Sequence, residues 1–169
     1  QFIHASSASV YGLGKNGFQE NIKCENPINP YAFSKLLFDQ YLRKFVKNNQ
    51  SQIVSLRYFN VYGPREQHKG NMASTIFHFH NQIKNQKRCE LFEGYDGYLN
   101  GEQMRDFVYV ENCVEVNLWF MQNPDKSGIF NVGSGKAEKF NHLANLLLDW
   151  NKVHKNINAL KEYIPFPNK

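Results

Sequence analysis

The chain has few cysteines, no long apolar run and no apparent targeting segment. Its 3 cysteines, Cys24, Cys89 and Cys113, are isolated and form no CxxC pair. This argues against a zinc site or a disulfide framework, so we expect no bound metal and a reducing, cytoplasmic environment. No stretch approaches the roughly 20 apolar residues of a membrane span, and the first ten residues lack a basic leader followed by an apolar segment. We therefore expect neither a membrane-spanning nor a secreted protein.

Positive charge exceeds negative charge, but it forms no long block. The formal net charge is +5, and the lysines are scattered among many asparagines. A patterned basic patch is what marks nucleic-acid binding. We interpret the charge as a solvated surface, with a small anionic ligand still possible, and predict no nucleic-acid partner.

Strand-like and helix-like segments alternate along the chain, and the hydrophobic share of 41% predicts a packed globular protein. Periodicity predicts strands at residues 2–6, 52–59, 89–93, 105–110 and 128–133, and helices at 30–47, 72–84, 111–123 and 139–153. Residues 60–70 and 94–104 are predicted as loops, and residues 163–169 as a tail without a closing element. The alternation indicates a parallel sheet covered by helices, in which ligands bind beyond the carboxyl ends of the strands.

A tyrosine and a lysine stand four residues apart in "NPYAFSK" at the start of the first predicted helix. Tyr31 and Lys35 therefore project from one face. An ammonium and a helix N-terminus both stabilise a phenolate, which could take a proton from an alcohol as hydride leaves for a nicotinamide. Ser7, at the end of the first strand, could bind the same oxygen. The pair alone is weak, because many surface helices carry such residues by chance.

Several motifs strengthen this interpretation. "SSASVYG", "NPYAFSK", "RYFNVYGPR", "RDFVYV" and "FNVGSG", in this order, resemble the extended short-chain dehydrogenase/reductase family of nucleotide-sugar epimerases and dehydratases. "GPREQHKG" and "FEG" narrow the similarity to epimerases of an ADP-linked sugar. The fold implied is α/β: an NAD(P)-binding, Rossmann-like, doubly wound parallel sheet, second half only, with a smaller substrate-binding portion. Residues 1–60 would be the later half of the Rossmann domain, and residues 61–169 a mixed substrate-binding region with returning Rossmann elements at about 106–135.

The resemblance implies a role for individual residues. The implied catalytic residues are Ser7, Tyr31, Lys35 and Lys69, of which Lys69 would be a second acid/base opposite the tyrosine. The implied cofactor-binding residues are Tyr31, Lys35, Val61 and Lys69. The implied substrate-binding residues are Asn60, Asn71, His78, Phe92, Glu93, Gly94, Tyr95 and Arg105. From the residues alone, Lys69 could equally be a solvated loop lysine, His78 a structural histidine and Arg105 a member of a surface ion pair.

The activity implied is that of an isomerase, an epimerase that inverts one carbon of an ADP-sugar through a transient ketone with bound NADP, NAD being less favoured. A homo-oligomer, by resemblance a pentamer, is also implied. The alternatives are another superfamily enzyme, such as a UDP-sugar 4-epimerase or a dehydratase, and a non-catalytic remnant. Dehydration is disfavoured because Ala8 and Ser9, rather than Asp and Glu, follow Ser7.

The chain departs from the family pattern at three places. The nucleotide-binding glycine loop is missing, so we expect a fragment that lacks about the first third and the C-terminal end. Asn71 stands where the family commonly has serine. The loop from Tyr95 to Met104 is several residues longer than expected.

Overall fold

A computed structural model describes residues 1–46 and 50–166. These residues form two compact units. The first unit comprises residues 1–61 and 108–133, and the second unit comprises residues 62–107 and 134–169.

Strands and helices alternate in the described residues. The strands are β1 (Phe2–Ser7), β2 (Ile53–Tyr58), β3 (Asn60–Tyr62), β4 (Arg88–Phe92), β5 (Met104–Tyr109), β6 (Gly128–Val132), β7 (Ala137–Lys139) and β8 (Leu160–Ile164). The α-helices are α1 (Pro30–Val46), α2 (Thr75–Gln86), α3 (Val110–Gln122) and α4 (Phe140–Lys155). Short 3-10 helices cover Ala8–Tyr11, Ile22–Cys24 and Gln67–Met72.

The first unit contains a parallel sheet in the order β1-β2-β6. Ser7 is level with Tyr58, and Tyr58 is level with Val132, so the three strands end at one edge. The central strand β2 is buried along most of its length, as expected for a strand covered on both faces. Val54 and Leu56 of β2 join the main apolar cluster of this unit.

The second unit contains two smaller pairings. Strands β4 and β8 run parallel, and β5 pairs antiparallel with β7. Helices α2 and α4 supply most of the apolar cluster that covers β4, with Phe79, Ile83 and Ala144 buried against Cys89 and Leu91. Burial raises the pKa of the Cys89 thiol to about 12, so this cysteine is an inert core residue.

The predicted α/β class with parallel, helix-covered strands is confirmed, whereas several local predictions are wrong. The sequence predicts a loop at residues 60–70, but these residues contain β3 and the start of a 3-10 helix. The predicted C-terminal tail contributes to β8, which pairs with β4 far away in the sequence. Helix α2 begins at Thr75 because the Ser74 side chain caps it by accepting from Phe77 N at 3.2 Å. The predicted end of α1 at Lys47 lies outside the described residues.

Over residues 1–46 and 50–166, none of the helices is both long enough and apolar enough to span a membrane.

Candidate active site

Tyr31 and Lys35 occupy the first turns of α1. The Asn29 side chain caps the helix by accepting a 2.8 Å hydrogen bond from Ala32 N, and Pro30 is the first helical residue. Tyr31 is 57% exposed, and Lys35 Nζ lies 5.8 Å from the centre of its ring. The helix start therefore presents a phenol next to an ammonium, as the sequence predicts.

Lys35 connects α1 to the end of β1. Its Nζ donates a 2.7 Å hydrogen bond to the carbonyl oxygen of Ala5, two residues before Ser7. Ser7 ends β1, and its Oγ accepts a 3.1 Å hydrogen bond from Ser9 N, which caps the following 3-10 helix. A hydroxyl can donate while it accepts, so the Ser7 hydroxyl could also donate to a ligand oxygen.

Asn60 and Val61 lie just past the carboxyl end of β2, at the same edge of the sheet as Ser7. Asn60 is exposed, whereas Val61 is partly buried and packs against the apolar cluster of the first unit. Five predicted residues therefore share the first unit: Ser7, Tyr31, Lys35, Asn60 and Val61. In parallel α/β sheets this edge is where ligands bind.

A buried polar network connects α1 to β2 and Glu25 in the same unit, and sequence reasoning missed it. Asp39 and Arg57 are both 0% exposed, and Arg57 Nε donates to Asp39 Oδ2 at 2.8 Å. Arg57 Nη2 also donates to Glu25 Oε1 at 2.5 Å, and Arg43 forms a two-point ion pair with Glu25. The spacing in the sequence could have indicated this network. Asp39 and Arg43 continue the four-residue spacing of Tyr31 and Lys35 along one face of α1.

The network keeps its charges in the folded protein. Burial opposes ionisation of Glu25, but the hydrogen bonds and charges of Arg43 and Arg57 outweigh it and hold the pKa of Glu25 below its usual value. Burial likewise opposes the charge of Arg57, yet its bonds to Glu25, Tyr11 and Asp39 raise its pKa further above the ordinary value. Burial raises the pKa of Tyr11, whose hydroxyl donates to Asn131 Oδ1 at 2.7 Å. These groups are therefore fixed donors and acceptors.

In the second unit, Lys69 and Asn71 lie in the 3-10 segment Gln67–Met72. The Lys69 side chain is 42% exposed, and its Nζ lies 3.6 Å from Glu66 Oε2. The segment bends at Gly70, whose φ of +51° lies in the left-handed region that favours glycine. Lys69 is thus a partly exposed ammonium on a bent loop beside a carboxylate.

Glu66 fastens both ends of this loop. Its carboxylate accepts hydrogen bonds from Gly63 N at 3.2 Å and from Ser74 N and Oγ at 2.8 and 2.7 Å. Burial opposes its ionisation, but these bonds and the charge of Lys69 outweigh that effect and lower the pKa of Glu66. Glu66 is a further residue that sequence reasoning missed.

Two of the predicted substrate-binding residues, Phe92 and Arg105, line a cavity of about 180 Å³ in the second unit. The other lining residues are Thr75, Phe79, Glu90, Leu91, Gln103, Phe140 and Phe166. Tyr95 stacks on Phe166 with ring centres 4.9 Å apart and so adjoins this cavity. Apolar walls with a few polar groups are typical of small-molecule sites, but this cavity is smaller than the roughly 300–1,000 Å³ of such sites.

The remaining predicted residues lie outside that lining. The Gly94 N–H donates to Asn100 Oδ1 at 2.8 Å. A Cβ at Gly94 would lie 2.4 Å from Tyr98 O, so only glycine fits there. Glu93 is exposed and its N–H donates to Ile164 O at 2.9 Å. His78 is half-buried on α2, where its ring meets Phe77 edge to face at 6.0 Å.

No cluster of three or more His, Cys, Asp or Glu side chains that could hold a metal ion occurs within the described ranges 1–46 and 50–166.

The parallel sheet, the strand end at Ser7 and the Tyr31–Lys35 pair at the start of α1 are consistent with the family resemblance found in the sequence. The chain belongs to the NAD dependent epimerase/dehydratase family, whose family model matches residues 1–133. This confirms the family resemblance found in the sequence.

Particular relatives carry a more specific name. The chain is 53% identical over 166 residues to ADP-L-glycero-D-manno-heptose-6-epimerase of Alkalilimnicola ehrlichii, covering 98% of this chain and 50% of that protein. It is 58% identical over 144 residues to the Thiobacillus denitrificans protein of that name, covering 85% of this chain and 43% of that protein. The chain therefore spans about half the length of the curated relatives it matches.

A solved structure of a protein with this name is also similar to the chain. The crystal structure of Helicobacter pylori ADP-L-glycero-D-manno-heptose-6-epimerase matches with a TM-score of 0.78 and 39% identity, over 96% of this chain and 48% of that one.

Proposed function

We propose that the full-length protein containing this chain is an isomerase that inverts C6 of the heptose in ADP-D-glycero-D-manno-heptose to give ADP-L-glycero-D-manno-heptose. The product would serve synthesis of the lipopolysaccharide inner core in the cytoplasm. The observation that carries this proposal is the placement of Tyr31 beside Lys35, with Lys35 bonded to Ala5 near the end of β1. The names of the relatives at 53% and 58% identity support the substrate.

The groups in the first unit fit a nicotinamide ribose. An ammonium has three N–H donors, and Lys35 uses one on Ala5, which leaves donors for ribose hydroxyls. The Ser9 hydroxyl is buried and makes no hydrogen bond within the described part of the chain, so polar capacity remains beside Ser7. Lys35 and Tyr31 would hold the cofactor, with Val61 and Lys69 contributing, and we favour NADP over NAD.

Tyr31 would move the proton in the first half-reaction. The bound nicotinamide supplies reversible hydride acceptance, which the side chains of a protein cannot provide. The Tyr31 oxygen would take the proton of the C6 hydroxyl as C6 gives up its hydride and becomes a ketone, while the Ser7 hydroxyl would donate a hydrogen bond to the same oxygen. Lys35 stabilises the phenolate electrostatically, because its ammonium lies next to the ring.

Inversion requires acid/base chemistry on both faces of the transient ketone. Lys69 is our candidate for the second face, since it is a partly exposed ammonium on a loop fixed by Glu66. Tyr31 would serve one epimer and Lys69 the other, with the sugar reorienting between the two half-reactions. No net oxidation results, because the hydride taken from C6 returns to C6.

Apart from Asn60 of the first unit, the groups proposed to bind the ADP-sugar lie in the second unit. Arg105 can bind diphosphate oxygens through a planar pair of N–H groups, and it lines the cavity that also holds Phe92. Glu93, Gly94 and Tyr95 follow Phe92 directly. Asn60, Asn71 and His78 are proposed to contact the sugar.

The test is a substrate panel with a matched pair of variants in the full-length protein. We expect C6 epimerisation of the ADP-heptose and no turnover of a UDP-sugar at C4. Tyr31→Phe should lower kcat by about 10²- to 10⁴-fold, the usual contribution of a general acid/base. Tyr41→Phe, at an exposed tyrosine on the same helix, should leave kcat unchanged. Turnover of the UDP-sugar alone would support the 4-epimerase alternative, and absence of all turnover would support the non-catalytic remnant.

The choice of cofactor and the oligomeric state are tested by separate experiments. Isothermal titration with NADP and NAD should give the lower Kd for NADP. Light scattering of the full-length protein should give the mass of a homo-oligomer, which we propose to be a pentamer. A monomer would contradict that assembly without affecting the proposed reaction.

A further inference from the structure

Asp39 lies two turns after Tyr31 and one turn after Lys35 on α1, and it is completely buried. Its carboxylate accepts hydrogen bonds from two strands at once. Ser6 Oγ of β1 donates at 3.0 Å, Ser55 Oγ of β2 donates at 2.6 Å, and Arg57 Nε of β2 donates at 2.8 Å. One side chain of the Tyr31 helix is therefore bonded to both β1 and β2.

The strand residues that bind Asp39 are themselves in register. Ser6 of β1 is the direct neighbour of Arg57 in β2. Arg57 extends the network through Nη1, which donates to Tyr11 Oη at 3.0 Å. Tyr11 lies four residues after Ser7 and donates in turn to Asn131 of β6. The network thus reaches all three strands whose ends form the candidate site.

Stability alone is a weak explanation for this arrangement. Burying an ion pair costs desolvation energy that the attraction between the charges only partly offsets, so apolar residues of similar volume often give equal or greater stability. In some proteins a buried ion pair with fixed hydrogen bonds instead specifies a single geometry. Here that geometry concerns the position of α1 along β1.

Two successive turns of α1 are attached to two successive residues of β1. Lys35 is bonded to Ala5, and Asp39 is bonded to Ser6, the residue just before Ser7. A helix that slipped by one turn would move by about 5.4 Å and would lose both bonds. Tyr31 lies one turn before Lys35, so the same two hydrogen bonds also fix its position along the direction of β1.

We propose that Asp39 is a positioning residue, which through Ser6 and Arg57 holds α1 at the height along β1 that the reaction of Tyr31 and Lys35 requires. Asp39 does not touch the reacting atoms. The inference rests on the proposed function of Tyr31 and Lys35 for its kinetic consequence, and on the observed hydrogen bonds for its structural one.

The experiment compares two buried polar residues of the first unit in the full-length protein. Asp39→Asn keeps the side-chain volume but removes the charge that Arg57 binds. Gln52→Leu is the control: Gln52 is also buried, and its amide donates to the carbonyls of Phe120, Asn123 and Lys126, away from α1. Both variants should lower the Tm, so that loss of Tm alone does not distinguish them.

Catalysis should separate the two variants. Asp39→Asn should lower kcat by about 10²-fold, the effect expected from misplacing a catalytic group by roughly 1 Å, with KM changed less than about threefold. Gln52→Leu should retain the wild-type kcat at temperatures below its Tm. Equal kcat in Asp39→Asn and the wild type, or a kcat loss in Gln52→Leu of the same size, would overturn the proposal.

A crystal structure of Asp39→Asn provides a readout that needs no activity. We expect α1 to shift relative to β1 by about 1 Å or more, with the Lys35–Ala5 bond lengthened. A helix that superimposes on that of the wild type would overturn the positioning role. An inactive wild-type protein would instead contradict the proposed function, and the displacement of α1 would still decide the role of Asp39. If the single variant does not fold, Asp39→Asn/Arg57→Met removes both charges of the pair and leaves Glu25 bonded to Arg43, and the same shift is expected.

Discussion

Lys35 Nζ donates a 2.7 Å hydrogen bond to the carbonyl oxygen of Ala5, which joins the second turn of α1 to the end of β1. The Lys35 ammonium can therefore serve two roles, because it has three N–H donors. One N–H attaches the helix to β1, and the other two could bind a ligand. A neutral side chain of similar length at this position would lose both roles.

Replacing Lys35 with methionine should weaken dinucleotide binding by at least about tenfold, because a charge-assisted hydrogen bond contributes about 1.5–3 kcal/mol and 1.4 kcal/mol corresponds to tenfold. Isothermal titration of the full-length protein measures this directly. Lys44→Met, at an exposed position later on α1, is the control and should bind as the wild type does. Equal Kd values for all three proteins would contradict the role of Lys35.

Replacing Lys69 with methionine tests the second acid/base. We expect loss of epimerisation by at least about 10²-fold in both directions, because each epimer needs the opposite face at one stage. Lys84→Met, at an exposed lysine on α2, should retain activity. If Lys69→Met interconverts the epimers at close to the wild-type rate, the two-base scheme is wrong.

Replacing Glu66 with glutamine tests how its loop responds to pH. Because the folded-state pKa of Glu66 is lowered, its carboxylate stabilises the fold above the unfolded pKa of roughly 4.3, and that contribution is lost as the pH falls through the folded value. The free energy of unfolding should therefore fall less steeply with acidification in Glu66→Gln than in the wild type. Denaturant titrations between about pH 6 and 3 measure the difference, with exposed Glu115→Gln as the control. Parallel curves for Glu66→Gln and the wild type would show that Glu66 contributes nothing there.

Replacing His4 with leucine should remove a different acid sensitivity. Burial and the charge of Lys35 lower the pKa of His4, against the opposing effect of Asp39, and His4 Nε2 is buried without a hydrogen-bond partner among the residues the structure describes. The unfolded chain therefore takes up a proton at higher pH than the folded one, so stability is lost as the pH falls below about 6.5. The unfolding free energy of His4→Leu should change less between pH 7 and 5, while His154→Leu, at an exposed histidine, should follow the wild type. A steeper loss in His4→Leu would contradict this assignment.

The sequence predicts most of the first unit because its signals are local. Asn29 and Pro30 mark the start of α1, and the carboxyl ends of β1 and β2 follow from apolar runs that lead into polar residues. Asp39 was not predicted as a buried group, because an aspartate on a helix is ordinarily exposed unless it is paired, and its partners lie on two other elements. Strand β8 was missed for a similar reason, since its pairing with β4 joins segments about 70 residues apart and leaves no local pattern.

In the candidate site, too, residues with local sequence signals could be predicted, and residues that depend on three-dimensional contacts could not. Tyr31, Lys35 and Ser7 could be placed from spacing and strand ends, whereas Glu66 depends on hydrogen bonds that close a loop between Gly63 and Ser74. Loop closure of this kind depends on backbone geometry that the residue types do not specify. The predicted catalytic, cofactor and substrate roles stay predictions that the variants above can test.

The most direct test of the central claim is the conversion of ADP-D-glycero-D-manno-heptose by the full-length protein in D₂O, followed by proton NMR. If C6 is inverted through transient oxidation with return of the same hydride, the L-glycero product should form and should keep protium at C6. Deuterium at C6 would contradict the hydride mechanism, and absence of the L-glycero product would contradict the proposed function.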